Sequence, residues 1–231
     1  MISISPALEK KEPEVCIGIL AVREAPNCQD HPALKDACEN LKDELIGSFG
    51  HLDRNGIRAL PAFAAYDSFY RRFKKTYHVQ LQLESVVFKG KTIQYPSALV
   101  GAMFMAELKT GLLTAAHDLE AVEVPLTAEI AQRGETYQRL SGDLGELKNG
   151  DLYIRDQEGI LSSVIYGPDL RTKIGPGTNQ AVFTTYGPPG ITKKQVREEL
   201  QILENYLQLF APRLERIELE VLSGSAQIGD Q

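Results

Sequence analysis

The sequence has few cysteines and no long apolar run. Its three cysteines, Cys16, Cys28 and Cys38, cannot all pair within one chain and form no C-x-x-C element, so they suggest neither a zinc site nor redox chemistry. No apolar run approaches the length that spans a membrane, and the start MISISPALEKKEPE lacks the apolar core of a secretory signal. We therefore expect reduced thiols in a cytoplasmic protein with no membrane partner.

The sequence also lacks an excess of positive charge, because its 25 Lys and Arg residues are outnumbered by 31 Asp and Glu residues and the formal net charge is −6. This balance argues against broad, charge-driven nucleic-acid binding, and we expect no DNA partner. Two local basic clusters remain, and each is either a contact for RNA or a solvated helix face. The clusters are Arg71, Arg72, Lys74 and Lys75, and Lys193, Lys194 and Arg197.

The common motifs for catalysis and nucleotide binding are missing. The chain contains no GxxxxGK[ST] loop, no GxGxxG after the first apolar run, no HExxH and no GxSxG. The segment GPGTNQ at 175–180 precedes a strand candidate instead of a helix, so it predicts a turn and not a phosphate site. The four histidines lie near no cysteine pair. We expect no metal and no cofactor, and these patterns assign no catalytic residue.

The length and composition suit one large domain. The chain has 231 residues, 43% of them hydrophobic, which is enough for a core that is stable without disulfide bonds or metal ions. We predict a single mixed α+β domain over residues 14–222, with short strands packed against several amphipathic helices. Disordered tails are expected at 1–13 and 223–231.

The first half of the chain predicts one strand and several helices. Val15 to Val22 is a short apolar run rich in β-branched residues, typical of a buried strand. A loop is predicted around Asn55-Gly56, followed by a helix over 63–77. A further helix is predicted from Pro96 to about Thr110, where Gly111 provides a stop.

The second half of the chain predicts mainly short strands. Short strand candidates punctuated by glycines run from 121 to about 183. Thr192 and Gln195 then form a capping-box pattern, which predicts a helix reaching to 210. The segment IELEV at 217–221 alternates in the manner of an edge strand.

Residues 99–184 carry a resemblance to a known family. Their order is a helix, a loop holding His117 and Asp118, and short strands joined by polar turns. This series resembles the B3/B4 module of the phenylalanyl-tRNA synthetase β subunit, and the complete chain is similar to the stand-alone form of that module. The matching segments are HDLEAV (117–122), RGET (133–136), DLYIRD (151–156), IYGPDLRTKI and then Thr178.

The resemblance implies a function in aminoacyl-tRNA quality control. In the synthetase, the module clears tyrosine wrongly attached to the phenylalanine tRNA, and its fold is mixed α+β around a ligand pocket. By this likeness the chain is expected to be a stand-alone trans-editing protein or a tRNA- and aminoacyl-binding protein. Its partner would be aminoacyl-tRNA, the aminoacyl end alone, or a small amino-acid-like ligand.

The sequence departs from the family at its polar positions. The synthetase module has a histidine three residues before the loop aspartate, where this chain has Ala115. It has a glutamate where this chain has Thr184, and an aspartate and an asparagine in the preceding helix where we find Gly101 and Phe104. A site built for a hydroxyl discriminates through paired polar groups. Their loss predicts a different ligand, a different mechanism, or binding without catalysis.

The remaining residues could still bind a ligand. Asp118 could hold an ammonium group and Arg171 a carboxylate or phosphate, with neutral hydrogen bonds from 178–179 and an apolar wall from the helix. The alternatives are that Asp118 caps a turn and that Arg171 forms a surface salt bridge with Asp169. The candidate ligand-binding residues are Asp118, Arg171, Thr178, Asn179, Phe104 and His117.

Overall fold

Helices and strands cover most of residues 1–224, the part of the chain that this computed structural model describes. The strands are β1 Ile2–Ile4, β2 Cys16–Arg23, β3 Leu113–Asp118, β4 Leu126–Ile130, β5 Thr136–Gln138, β6 Leu144–Glu146, β7 Leu152–Arg155, β8 Ile160–Ser163, β9 Gly167–Pro168, β10 Ala181–Gly187 and β11 Glu215–Ser223. The helices are α1 Pro6–Lys11, α2 Pro32–Phe49, α3 Arg54–Ala59, α4 Pro61–Arg71, α5 His78–Lys89, α6 Ala98–Thr110 and α7 Lys193–Gln208. The expected mixed α+β class is confirmed at this level.

The strands form two main sheets and a small hairpin. One sheet has the order β1-β4-β7-β8-β9, the other has the order β11-β2-β10-β3, and β5 pairs with β6. Strand β1 is parallel to β4, whereas β10 is antiparallel to both β2 and β3. Strand β3 therefore lies at one edge of the four-stranded sheet, and β11 lies at the other, as predicted for 217–221.

Helix α7 covers the four-stranded sheet. The predicted capping box is confirmed, because the Thr192 hydroxyl accepts from the Gln195 N–H at 3.2 Å and the Gln195 side chain accepts from the Thr192 N–H at 2.9 Å. The apolar side of α7 is buried against β2. Gly18 makes this approach possible, since a Cβ there would lie 2.4 Å from Val196 Cγ1.

Helix α6 lies between α7, α2 and the edge strand β3. Its predicted end is confirmed: Gly111 adopts φ 77°, a left-handed conformation that terminates the helix. Most of its residues are buried, which explains why the segment is apolar on all sides. Glu107 is the ionisable residue among these side chains, and it is buried as deeply as its apolar neighbours.

The N-terminal segment corrects the expected tail at 1–13. Residues 2–4 extend the five-stranded sheet as β1, and Ser5 caps α1 by accepting from the Leu8 N–H at 3.2 Å. Leu8 is fully buried, so this segment has apolar contacts that its polar composition does not reveal. At the other end, β11 reaches Ser223, and the predicted tail from 225 onwards lies outside the described residues. The boundaries of the predicted domain otherwise stay a prediction.

Two predictions in the helical half are wrong in detail. The loop expected around Asn55-Gly56 is the short helix α3, which Asp53 caps through the Gly56 N–H at 2.7 Å. The single helix expected over 63–77 is divided, because α4 ends at Arg71 and α5 begins at His78. The turn between them places Lys74 at φ 57°, a conformation that a continuous helix cannot contain.

The predicted loop at His117 and Asp118 is also corrected. Both residues belong to β3, where they pair in register with Val182 and Ala181 of β10. The turn predicted at 175–180 is confirmed: the Gly175 N–H donates to the Thr178 hydroxyl at 2.9 Å. No helix within residues 1–224 is both long and apolar enough to span a membrane.

Candidate ligand-binding cavity

A cavity of about 470 Å³ lies beside the edge strand β3. Helix α6 contributes Val100, Met103 and Phe104 to its wall, and β3 contributes residues 113–116. The segments around Val164 and 173–174 line the opposite side. Cavities of this size, with mostly apolar walls and a few polar groups, are typical of small-molecule sites.

Glu107 is the buried acidic group in this wall. Its Oε1 accepts from the Thr114 N–H at 2.8 Å, at the outer edge of β3. Burial raises the pKa of Glu107 well above its usual value; the Thr114 bond opposes the shift, and the nearby Glu199 carboxyl adds to it. Burial therefore favours the protonated carboxyl, and no cation among residues 1–224 is paired with it.

Glu199 of α7 forms a second buried carboxyl site behind β3. The Thr114 hydroxyl donates to Glu199 Oε1 at 3.1 Å and lies 2.8 Å from the Thr185 hydroxyl, and the Thr110 hydroxyl bonds the other carboxyl oxygen. Burial raises the pKa of Glu199 to about 7, with the Thr110 and Thr114 bonds opposing the shift. This group supports the cavity wall without lining the cavity.

Two tyrosines hold the strands behind the wall. The Tyr66 hydroxyl accepts from the Leu113 N–H at 2.9 Å and donates to the Tyr186 carbonyl. The Tyr186 hydroxyl, which reaches the five-stranded sheet, lies 2.6 Å from the Ser162 hydroxyl. Burial raises the pKa of both tyrosines, so they remain neutral hydrogen-bonding groups. The β3 wall is therefore fixed by bonds at its start and across the sheets.

The cavity adjoins a more open groove of about 640 Å³. His78, Gln82 and Phe104 belong to both, so the two spaces share a wall. Burial lowers the pKa of His78, which keeps its ring neutral. Lys173, another cavity residue, is exposed and has no ion-pair partner within residues 1–224.

Of the six predicted ligand contacts, the structure places Phe104 on the cavity wall and His117 away from it. His117 is fully buried, with Nδ1 2.7 Å from the Thr172 hydroxyl and Nε2 3.2 Å from the Ser162 hydroxyl. Burial and, to a smaller extent, the Arg171 charge lower the pKa of His117 to about 3, against the opposing effect of Asp156. A neutral imidazole bonded on both nitrogens serves to join segments of the fold.

The structure brings Asp118 and Thr178 together, but not at the cavity. The Thr178 hydroxyl donates to Asp118 Oδ2 at 2.6 Å, and Asp118 Oδ1 accepts from the Glu120 N–H at 3.1 Å. Asp118 therefore caps the short 3-10 helix Leu119–Ala121, which is the alternative that the sequence left open. The neighbouring Asn179 carbonyl accepts from the Ala25 N–H at 3.0 Å. All three residues lie outside the cavity lining.

Arg171 forms ion pairs within the protein. Its Nη2 lies 2.9 Å from both carboxyl oxygens of Asp156, and its Nη1 donates to the Ala121 carbonyl at 2.7 Å. Burial works to raise the pKa of Asp156, but backbone N–H bonds and the Arg171 guanidinium together lower it. Glu158 and Asp169 lie farther out, at 3.2 and 3.8 Å. A role of His117, Asp118, Arg171 or residues 178–179 in ligand binding stays a prediction that this geometry does not favour.

Two of the four positions at which the sequence departs from the expected pattern line the cavity, namely Phe104 and Ala115. Ala115 pairs directly with Thr184 across the β3–β10 ladder, and Thr184 is fully buried outside the cavity lining. Gly101 also lies outside the lining and is covered by the Tyr95 ring, whose nearest atom would lie 2.7 Å from an added Cβ.

Glu107 and Thr114 are cavity residues that sequence reasoning missed. The available signal was an acidic residue inside ALVGAMFMAELKT, a helix that is otherwise apolar until its last turn. A charged residue in such a segment is rarely buried without a role. For Thr114, the sequence offers no comparable signal, because its neighbours in the cavity come from distant segments.

The basic clusters are partly paired within the protein. Arg71 lies 2.9 Å from Asp67, Arg72 pairs with Glu12, and the Lys75 ammonium lies 4.5 Å from the Tyr166 ring centre. In the second cluster, Lys194 lies 3.9 Å from Glu198. These contacts favour solvated helix faces. Across residues 1–224 no group of three His, Cys, Asp or Glu side chains is placed to hold a metal ion.

Comparisons with known proteins give a likeness to solved structures and none to a family or a curated protein. No protein family matches the sequence, and no curated protein matches it. An N-terminal fragment of the phenylalanyl-tRNA synthetase β subunit from Pyrococcus horikoshii is similar with a TM-score of 0.46 and 11% identity. The match covers 96% of this chain and 50% of that fragment, so the chain spans about half of its length. We draw no conclusion about fold or function from a likeness this small.

Proposed function

We propose that the chain binds the aminoacyl end of charged tRNA and serves in aminoacyl-tRNA quality control, as a stand-alone B3/B4-type module. The observation that carries the proposal is the 470 Å³ apolar cavity, because its walls come largely from the segment 99–184 that resembles the synthetase module. An apolar amino-acid side chain would occupy the cavity. Burial of its surface would supply most of the binding free energy, at about 25 cal/mol per Å².

The adjoining groove supports a ligand larger than an amino acid. It shares Phe104 with the cavity and is open to solvent along Lys91 and 92–94. A nucleoside attached to the aminoacyl group could lie there, while the side chain remains inside. The unpaired Lys173 ammonium lies on the cavity wall, where it could contact the first phosphate.

The cavity supports binding more directly than hydrolysis. Its hydroxyl-bearing residues are Thr114, Ser163 and Tyr186, and within residues 1–224 none of their hydroxyls is hydrogen-bonded to a histidine. A nucleophile normally needs a base within hydrogen-bond reach. The Thr114 hydroxyl does meet the Glu199 carboxyl at 3.1 Å, but burial raises the pKa of that carboxyl to about 7 and so favours its protonated form. We propose retention of the aminoacyl group without turnover, and expect mischarged tRNA to release its amino acid no faster than in buffer.

The test uses aminoacyl-adenosines in which an amide replaces the labile ester. Calorimetric titration with the leucyl, phenylalanyl and glutamyl compounds should show binding of the two apolar ones and none of the glutamyl compound. Val100→Phe, which adds a ring to a half-buried cavity residue, should abolish binding. Ile217→Phe is the matched control, because Ile217 is exposed on the far edge strand. Equal binding by both variants and the parent would overturn the cavity assignment.

A free amino-acid derivative is the second candidate ligand. It is favoured by the ion pairs of Arg71 and Arg72, which reduce the positive charge that the first basic cluster could offer to a tRNA body. The same titration separates the two. Leucinamide and phenylalaninamide that bind as tightly as the corresponding adenosine compounds would indicate a small-molecule module, whereas weaker binding would support the charged tRNA end.

A further inference from the structure

The outer edge of β3 has an unpaired stretch. The Thr114 N–H donates to Glu107 and the Asp118 N–H donates to the Thr172 carbonyl at 2.7 Å, so both point away from β10. In an antiparallel pair, alternate residues direct their N–H and C=O groups to the same side. Ala116, between them, therefore also points its N–H and carbonyl away from β10. It lines the cavity.

This stretch is short and bounded at both ends. The Glu107 carboxyl covers the N–H of Thr114, and the backbone of Thr172 covers the N–H of Asp118. No residue within 1–224 bonds the Thr114 carbonyl or the N–H of Ala116 from outside the sheet. Ala116 is only 7% exposed, and buried backbone groups are nearly always satisfied by a partner. The edge thus offers the Thr114 carbonyl as an acceptor and the Ala116 N–H as a donor to an occupant of the cavity.

We propose that this edge binds the α-amino-acyl unit of an apolar amino acid, whose carbonyl accepts from the Ala116 N–H and whose α-ammonium donates to the Thr114 carbonyl beside Glu107. The inference rests on the proposed function, since it assigns the polar contacts of the ligand that the cavity holds. A residue of a parallel strand forms the same two bonds with its neighbouring strand: its N–H donates to one carbonyl there, and its C=O accepts from the N–H two residues further along.

Glu107 gives the site its specificity for ligands that carry an amine. Among the described residues its partner is the Thr114 N–H on Oε1, and no bond reaches Oε2. The titratable groups nearest to it are Glu199 from α7 and the tyrosines at 66, 70 and 77 from the α4–α5 region. His78 and the Lys173 ammonium lie on the wall of the same cavity. An ammonium at this place stabilises the ionised carboxyl. Binding of an amine therefore transfers the Glu107 proton to solvent, and binding of a ligand without an amine does not.

The experiment compares three probes of matched side chain by calorimetry in two buffers of different ionisation enthalpy. Phenylalaninamide carries both groups, hydrocinnamamide lacks the amine and phenethylamine lacks the carbonyl. Because each lost hydrogen bond weakens binding by about tenfold, phenylalaninamide should bind about tenfold more tightly than either analogue. On binding, phenylalaninamide should cause release of a proton to the buffer, whereas hydrocinnamamide should not.

Variants locate the contact. Glu107→Gln retains an acceptor for the Thr114 N–H and leaves the Thr114 carbonyl in place, so it should reduce the advantage of phenylalaninamide over hydrocinnamamide and abolish the proton release, without weakening hydrocinnamamide. Glu199→Gln is the matched control in the adjacent buried site and should retain both. Equal affinities of the two amides for the parent protein, or an equal loss of both in Glu107→Gln, would overturn the edge assignment while leaving the cavity proposal intact. Failure of all three probes to bind would overturn both proposals.

Discussion

Replacing Glu199 with glutamine measures how much the ionisable carboxyl buried behind the cavity wall changes the free energy of unfolding. The folded protein holds this group fully buried with a pKa of about 7, whereas the ordinary value is 4.5. Between these values the unfolded chain loses the proton and the folded chain keeps it. Folding stability therefore falls as the pH rises through this window, and it is greatest below it.

The magnitude follows from the width of the window. Each pH unit over which only the unfolded carboxyl ionises lowers the free energy of unfolding by about 1.4 kcal/mol. The interval from 4.5 to about 7 thus corresponds to about 3 kcal/mol. Glutamine stays neutral at every pH and can still bond the Thr110 and Thr114 hydroxyls. Glu107 titrates in both proteins, so most of its contribution cancels in the difference.

The assay is urea unfolding followed by circular dichroism, because the chain has no tryptophan. Glu199→Gln should match the parent near pH 4.5 and exceed its unfolding free energy by about 3 kcal/mol near pH 8. Glu198→Gln, an exposed position on the same helix, should show no such divergence. A Glu199→Gln variant whose difference from the parent is constant across this range would refute the reasoning, since the carboxyl would then not be protonated in the fold.

Two further predictions concern residues outside the cavity. Arg171→Ala should lower the free energy of unfolding by about 1–3 kcal/mol, because it leaves the buried Asp156 without its cation, yet it should not change the affinity for phenylalanyl-adenosine amide; weaker binding at unchanged stability would restore Arg171 as a ligand contact. Gly18→Ala should destabilise the protein by about 1–3 kcal/mol in the same unfolding assay, since the new Cβ would overlap Val196, and a neutral result would show that α7 can shift.

Local sequence patterns determined those elements whose signals are contained in neighbouring residues. The capping box at Thr192 and Gln195 and the stop at Gly111 each depend on one turn of backbone, so residue type alone identified them. The tail expected at 1–13 failed for the opposite reason. Its order comes from pairing with β4, more than a hundred residues away, and polar composition cannot report a remote partner.

The site shows the same division. The sequence by itself directed attention to the segment 99–184 and predicted that Phe104 would form an apolar wall, and the structure places Phe104 in the cavity lining. Only the tertiary structure decided which polar groups are free to act. Arg171 and Asp118 are occupied by partners that folding brings from other segments, whereas Glu107 and the edge of β3 are left facing the cavity. A side chain's availability depends on its neighbours in space, and that information is not local in the chain.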